Sequence, residues 1–256
     1  MRKFAIALVM LGLVAAAPAK SASLASDVFS YPNGDLVPNG GWANYSGATT
    51  DIQVNAGRAT GFGPAANDDH LLFTPQSLTV KTYACFDVII PAPAAAPKPI
   101  YFALLKDAGT TNFVSRVYVL PLAGGGWTFG ISHSSTSTTV GVVPWTSGLV
   151  YGQNYHVVIN YDPVNKTSTL WVNPTVESDP SVSITNAATA ALAVAGFGLR
   201  QSASASALPA SPAYVGTADW GFSVDNLGVG STFDDACAIP TPTRPATWGQ
   251  VKGLYR

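Results

Sequence analysis

Charge is what this chain has least of. Charged residues make up 11% of its 256 positions, against roughly 25% in ordinary globular proteins. The net charge of -1 supplies no basic footprint of the kind that nucleic acid or an anionic membrane surface requires. Glutamate is nearly absent: Glu177, in the turn-like ESDP, stands alone. Hydrolysis of a glycosidic bond needs two positioned carboxylates about 5 to 10 Å apart, and no strand carries such a pair. There are three histidines and no G-x-S-x-G, so serine chemistry has no pattern to stand on. Without a Cys-x-x-Cys, zinc has none either. Past the N-terminal segment, no apolar run reaches the roughly 20 residues that cross a bilayer.

What the chain does have is turn formers, with 24 Gly and 19 Pro spread along its length. Long helices are improbable on that pattern. The N-terminus reads as a targeting segment. Arg2 and Lys3 precede the uncharged apolar stretch Phe4 to Ala17, and Ala17-Pro18-Ala19 is a small-x-small cleavage pattern. Residues 1–19 are therefore expected to be a signal peptide, which makes the chain secreted or cell-surface, with no membrane insertion of the mature part. In an oxidising compartment Cys85 and Cys237 can pair. Phe86, Val88 and Ile90 alternate as a buried face, which turns Cys85 outward with Tyr83 and Asp87. Two unpaired, partly buried thiols remain the alternative, since the wide spacing carries no signal.

From Asp27 onward, short β runs alternate with turn clusters. They begin near Ile52, Leu71, Tyr83, Tyr101, Val114, Trp127, Tyr155, Leu170, Val182, Phe197 and Phe222, the rhythm of an all-β sandwich rather than of βαβ units. The clearest unit is Tyr155 to Pro174. Tyr155, Val157, Ile159 and Tyr161 share one face, and Asp162-Pro163-Val164-Asn165 turns the chain into a second strand through Leu170 and Trp171. One body is expected over 20–236. Residues 237–256 read as a Pro/Thr-rich linker and short tail, in which Trp248, Val251 and Tyr255 form one stripe.

The pieces DVFSYPNGDLVPNGGWANYSG, FVSRVYVLPLAGGGWTFGIS, LVYGQNYHVVINYDPVNKTSTLWVNP, GFGLRQ and FSVDNLGVGSTFDDA together resemble secreted bacterial laminin-G-like, concanavalin A-like jelly-roll domains. The resemblance implies a two-sheet antiparallel jelly-roll sandwich of the lectin and glucanase type, its first and last strands paired. It implies no single activity, because this fold hosts lectins, hydrolases, lyases and adhesion modules. The E-x-D-x-x-E strand of laminarinase-type relatives does not occur, nor do the R-x-E-x-R and Q-I-H strings of lyases. Asp68-Asp69 and Asp234-Asp235 read as solvated loop acids. His156 reads as a polar strand-face residue. The resemblance also puts Asp27 and Asp225 where the first and last strands meet, a place where such sandwiches often hold calcium; ordinary strand-edge acids are the alternative.

For a ligand face, alternation puts Arg116 and Tyr118 on one side of their run. Arg200 lies opposite Phe197 and Leu199, and Trp171 opposite Leu170 and Val172. One aromatic platform with two guanidinium forks suits sugar stacking and hydroxyl recognition; the same residues can equally serve to stabilise the sheet. The expected function is a non-catalytic extracellular binding or adhesion module for polysaccharide or a surface glycan. A structural surface or matrix protein attached through its tail, or a divergent carbohydrate-active enzyme, stands behind it.

Overall fold

The computed structural model describes residues 23–47, 50–62, 67–93, 99–122, 125–134, 141–201 and 221–238. The expected signal peptide and the Trp248–Tyr255 stripe lie outside the described residues. Sixteen strands are described. In chain order they are β1 (Ala25–Asp27), β2 (Gly34–Asp35), β3 (Trp42–Ser46), β4 (Gln53–Asn55), β5 (Arg58–Phe62) and β6 (Asp68–Leu72). Then come β7 (Thr82–Ile89), β8 (Ile100–Lys106), β9 (Phe113–Pro121), β10 (Trp127–Ser134) and β11 (Val143–Pro144). The series closes with β12 (Asn154–Asp162), β13 (Thr167–Val172), β14 (Val182–Thr185), β15 (Gly196–Arg200) and β16 (Gly221–Gly230), followed by one short helix, α1 (Phe233–Cys237).

The strands form two antiparallel sheets. The first runs β14-β13-β12-β7-β16-β5-β4-β2, with β1 also paired to β16, and the second runs β11-β10-β9-β8-β15-β6-β3. First and last strands therefore meet, Asp27 opposite Leu227. Alternation does the sorting: Tyr155, Val157, Ile159 and Tyr161 of β12 all enter the core, as expected, and β13 returns beside them with Ile159 opposite Leu170. Between the sheets, Phe102 meets Phe86 edge-on at 6.3 Å, and Trp127 stands perpendicular to Phe129 at 4.6 Å. Such geometries add roughly 0.5–1.5 kcal/mol beyond the apolar area they remove from water.

Three expectations change. Asp68 and Asp69 are not solvated loop acids: both are buried in β6. Asp235 is likewise buried, in the first turn of α1. That helix closes the expected 20–236 body, where no helix was expected. Thr232 caps it, its hydroxyl accepting the Asp235 N–H at 3.1 Å, and Gly228 and Gly230 let it lie on β16. A Cβ on Gly228 would collide with the Ala236 carbonyl, and one on Gly230 would stand 2.6 Å from the Ala236 nitrogen. So docked, α1 covers Tyr83, Cys85, Val158 and Trp171 on the outer face of the first sheet. Cys237 reaches Cys85 in a disulfide with Cα atoms 5.3 Å apart. The outward Cys85 inferred from alternation is what makes this closure available.

Candidate functional site

The outer face of the second sheet gathers polar side chains from five strands: Tyr45 from β3, Asp68 and His70 from β6, Tyr101 and Lys106 from β8, Arg116 and Tyr118 from β9, and Arg200 from β15. Both guanidinium groups stack on the Tyr101 ring, Arg116 at 4.2 Å and Arg200 at 4.3 Å from its centre. Arg116 Nη1 donates to the Tyr118 hydroxyl at 3.4 Å, and Arg200 Nε lies 3.9 Å from Asp68 Oδ2. Tyr45 stacks on His70 at 5.3 Å. Gly198, with no side chain, leaves the space that Leu104 and Tyr45 fill. The face is recessed: Arg116 is 7% and Tyr101 8% exposed.

Burial shapes the charge here. Desolvation pushes the Asp68 carboxyl up to about 7, against the opposing pull of Arg200 and the Gln201 N–H. It also holds His70 neutral down to about 4, with the Lys106 cation adding to the effect. The Tyr45 phenol is raised well above its ordinary value by burial, then by Asp68. Lys106 commits its ammonium to His70 Nδ1 at 3.0 Å, the Asp107 carbonyl at 2.9 Å and the Gly109 carbonyl; it anchors that turn and fixes the imidazole. Three polar groups in this cluster are buried and have no hydrogen-bond partner among the described residues: Tyr45 OH, Arg116 Nε and Arg200 Nη1. Each such group costs about 1–3 kcal/mol, and more when charged. Below about pH 7, where Asp68 holds its proton, the two guanidinium groups share no full counter-charge. The arrangement suits a carboxylate.

Of the residues singled out from sequence, Arg116, Tyr118 and Arg200 do come together. Trp171 does not. It belongs to β13 of the first sheet, packs between Tyr83 and Phe233 and donates Nε1–H to the Glu177 carbonyl at 3.1 Å. Alternation fixes the side of a strand that a residue occupies but not the sheet that the strand joins. The platform between the arginines is Tyr101, whose own run reads simply as apolar. Asp27 accepts from the Phe29 N–H at 2.7 Å, Trp42 Nε1 at 2.7 Å and the Tyr31 hydroxyl at 3.0 Å. Asp225 pairs with Arg58 at 3.3 Å. A cation at either carboxylate would compete with these donors.

His156 is more than a strand-face residue, for its Nδ1 lies 2.8 Å from Asp87 Oδ1 across the β7–β12 ladder. His133 bonds Ser168 Oγ at 3.2 Å and Thr189 Oγ1 at 3.1 Å, in a hydroxyl chain that spans the two sheets. Near it, a cleft of about 560 Å³ opens between 112–114 and 188–192. Its walls mix apolar side chains with polar groups, and they carry none of the charged groups above.

Neither family models nor curated protein sequences give a match to this chain. Solved structures do. Alginate lyase Aly36B superposes with a TM-score of 0.55 at 13% identity, over 83% of this chain and 98% of the lyase. The CBM2 module of the evolved Dit protein of Lactobacillus casei BL23 phage J-1 gives 0.51 at 13% identity, over 82% and 95%. A botulinum neurotoxin type C structure, described by its interaction with two ganglioside molecules, gives 0.51 at 6% identity, over 83% of this chain and 48% of the toxin chain. The jelly-roll sandwich is thereby established. The expectation that the chain is not an enzyme is corrected: lyases share this fold, and contiguous strings cannot exclude a site whose groups converge from five strands.

Proposed function

We propose that this is a carbohydrate-active domain, working outside the cell, that binds an acidic polysaccharide on the outer face of its second sheet. The observation that carries the reading is the pair of guanidinium groups on Tyr101, each with a buried N–H that no described residue accepts. A uronate presents its carboxylate on one exocyclic carbon, so that group can enter a recess while the sugar ring stays above it. Fork-like donors match its two oxygens. The fold's likeness to an alginate lyase and to a carbohydrate-binding module supports a glycan as the partner, and the disulfide supports an oxidising location.

Binding of alginate oligosaccharides, measured by calorimetry, tests this. Arg116→Gln and Arg200→Gln should each weaken binding at least tenfold, while neutral glucans bind neither form. Equal affinity for the wild type and both variants would sink the reading.

A second reading, β-elimination, is favoured by Asp68, whose carboxyl titrates near neutrality beside a phenol kept protonated. A carboxylate at Asp68 would take the proton alpha to the uronate carboxylate, which the arginines hold. The C4–O4 bond would break as the C4–C5 double bond forms, and Tyr45 would protonate the departing oxygen. Ultraviolet absorbance of the unsaturated product reports turnover. Asp68→Asn and Tyr45→Phe should each abolish it and keep binding; turnover surviving both would refute these assignments.

A further inference from the structure

We propose that reduction of the Cys85–Cys237 disulfide converts this corner of the first sheet into a site for one divalent zinc ion, held by the two thiolates and His156 Nε2. The two sulfur atoms and the imidazole already lie within 4.8 Å of one another. His156 Nε2 stands 3.1 Å from Cys85 Sγ, and Nδ1 stands 2.8 Å from Asp87 Oδ1. Asp87 is itself oriented by Asn226 Nδ2 at 2.9 Å. In the tautomer whose Nδ1–H donates to the Asp87 carboxylate, Nε2 presents its lone pair toward the sulfur, and a disulfide sulfur has no proton to donate to it. A carboxylate behind the far nitrogen is the support that zinc-ligating histidines usually have.

Geometry fits the ion. Zinc bonds of about 2.3 Å to sulfur and 2.0 Å to nitrogen place tetrahedral ligands roughly 3.5 to 3.8 Å apart. The imidazole needs to retreat by only a few tenths of an ångström, and the sulfurs need only part. Cys85 and His156 sit on adjacent strands, with Val158 opposite Cys85 and Asp87 opposite His156. Cys237 comes from α1, which also rests on Gly228 and Gly230. Cys237 and His156 are partly exposed, so water can take the fourth position.

The chemistry balances with a dithiol reductant. Thiol–disulfide exchange gives two protein thiols and a cyclic disulfide of the reductant, and zinc then displaces two protons from the thiols. Metal and disulfide exclude each other.

The test is titration of the whole protein with zinc chloride, oxidised and then reduced by a dithiol that is removed before metal is added. The reduced wild type should bind one equivalent at least a hundredfold more tightly than the oxidised form. Cobalt substituted for zinc should show thiolate-to-metal charge transfer. His156→Ala should remove this binding, and Asp87→Asn should weaken it about 10- to 100-fold. Should the reduced wild type lose its fold, Cys237→His decides, because it offers three ligands without a disulfide and should bind zinc with no reductant. Reduced protein that binds equally well with His156→Ala, or a folded Cys237→His that binds no zinc, overturns the proposal.

Discussion

Replacing Asp68 by Asn probes the charge balance of the recessed face directly. Asparagine keeps an acceptor for the Gln201 N–H, which now reaches Asp68 Oδ1 at 3.1 Å, and removes only the titration. The folded carboxyl releases its proton near pH 7, whereas the ordinary value is 3.8. The folded state thus holds a proton that the unfolded chain has lost, and stability falls as pH rises through this window. At about 1.4 kcal/mol per pH unit the gap corresponds to ~4 kcal/mol. The stability of Asp68→Asn relative to the wild type should therefore climb by up to about 4 kcal/mol between pH 4 and pH 7, then level off. Urea unfolding at pH 4.5, 5.5, 6.5, 7.5 and 8.5 measures it, and the comparison cancels the opposite dependence of His70. Alginate affinity gives a parallel readout. Above pH 7 the Asp68 carboxylate competes for Arg200, so wild-type binding should weaken while that of Asp68→Asn stays level. A stability difference independent of pH would refute the desolvated carboxyl and with it the uncompensated guanidinium pair.

Other perturbations test the scaffold. Gly228→Ala drives a methyl into the Ala236 carbonyl. It should cost about 1–3 kcal/mol in urea unfolding and make the disulfide react faster with a small thiol; an unchanged rate would show that α1 does not depend on this approach. Replacing both Cys85 and Cys237 by Ala opens a loop of 152 residues, worth about 5 kcal/mol in the chain-entropy picture. Calorimetry should show a melting point many degrees lower, and a shift below one degree would count against the closure. Phe102→Ala, at the contact of Phe86, Phe129 and Phe222, should lose about 3–5 kcal/mol.

Sandwich architecture was legible because period-two alternation is a property of each strand alone. The β12–β13 hairpin, the inward tyrosines and the outward Cys85 all follow from it. Alternation likewise put Arg116 and Arg200 on outer faces. It could not show that β9 and β15 both border β8, so Tyr101 went unnoticed between them, and it could not show that Trp171 belongs to the other sheet. Asp68 looked like a loop acid because adjacent acids in a strand would point to opposite faces; its burial comes from neighbours far away in sequence. The Asp87–His156 pair escaped for the same reason. The helix α1 was missed because its signals, Thr232 and two glycines, lie in a segment that reads as a strand end.

Strand β16 receives both ends of the described chain. Leu24 donates its N–H to the Val229 carbonyl at 2.8 Å, and α1 folds back over Gly228 and Gly230 to Cys85. The described chain thus ends at residue 238 on the outer face of the first sheet, and begins at residue 23 beside strand β16. A cell wall, a neighbouring module or a tether pulling from there would orient the domain like a shield held by its grip. The arginine-bearing side would then face outward, toward polymer approaching from solution.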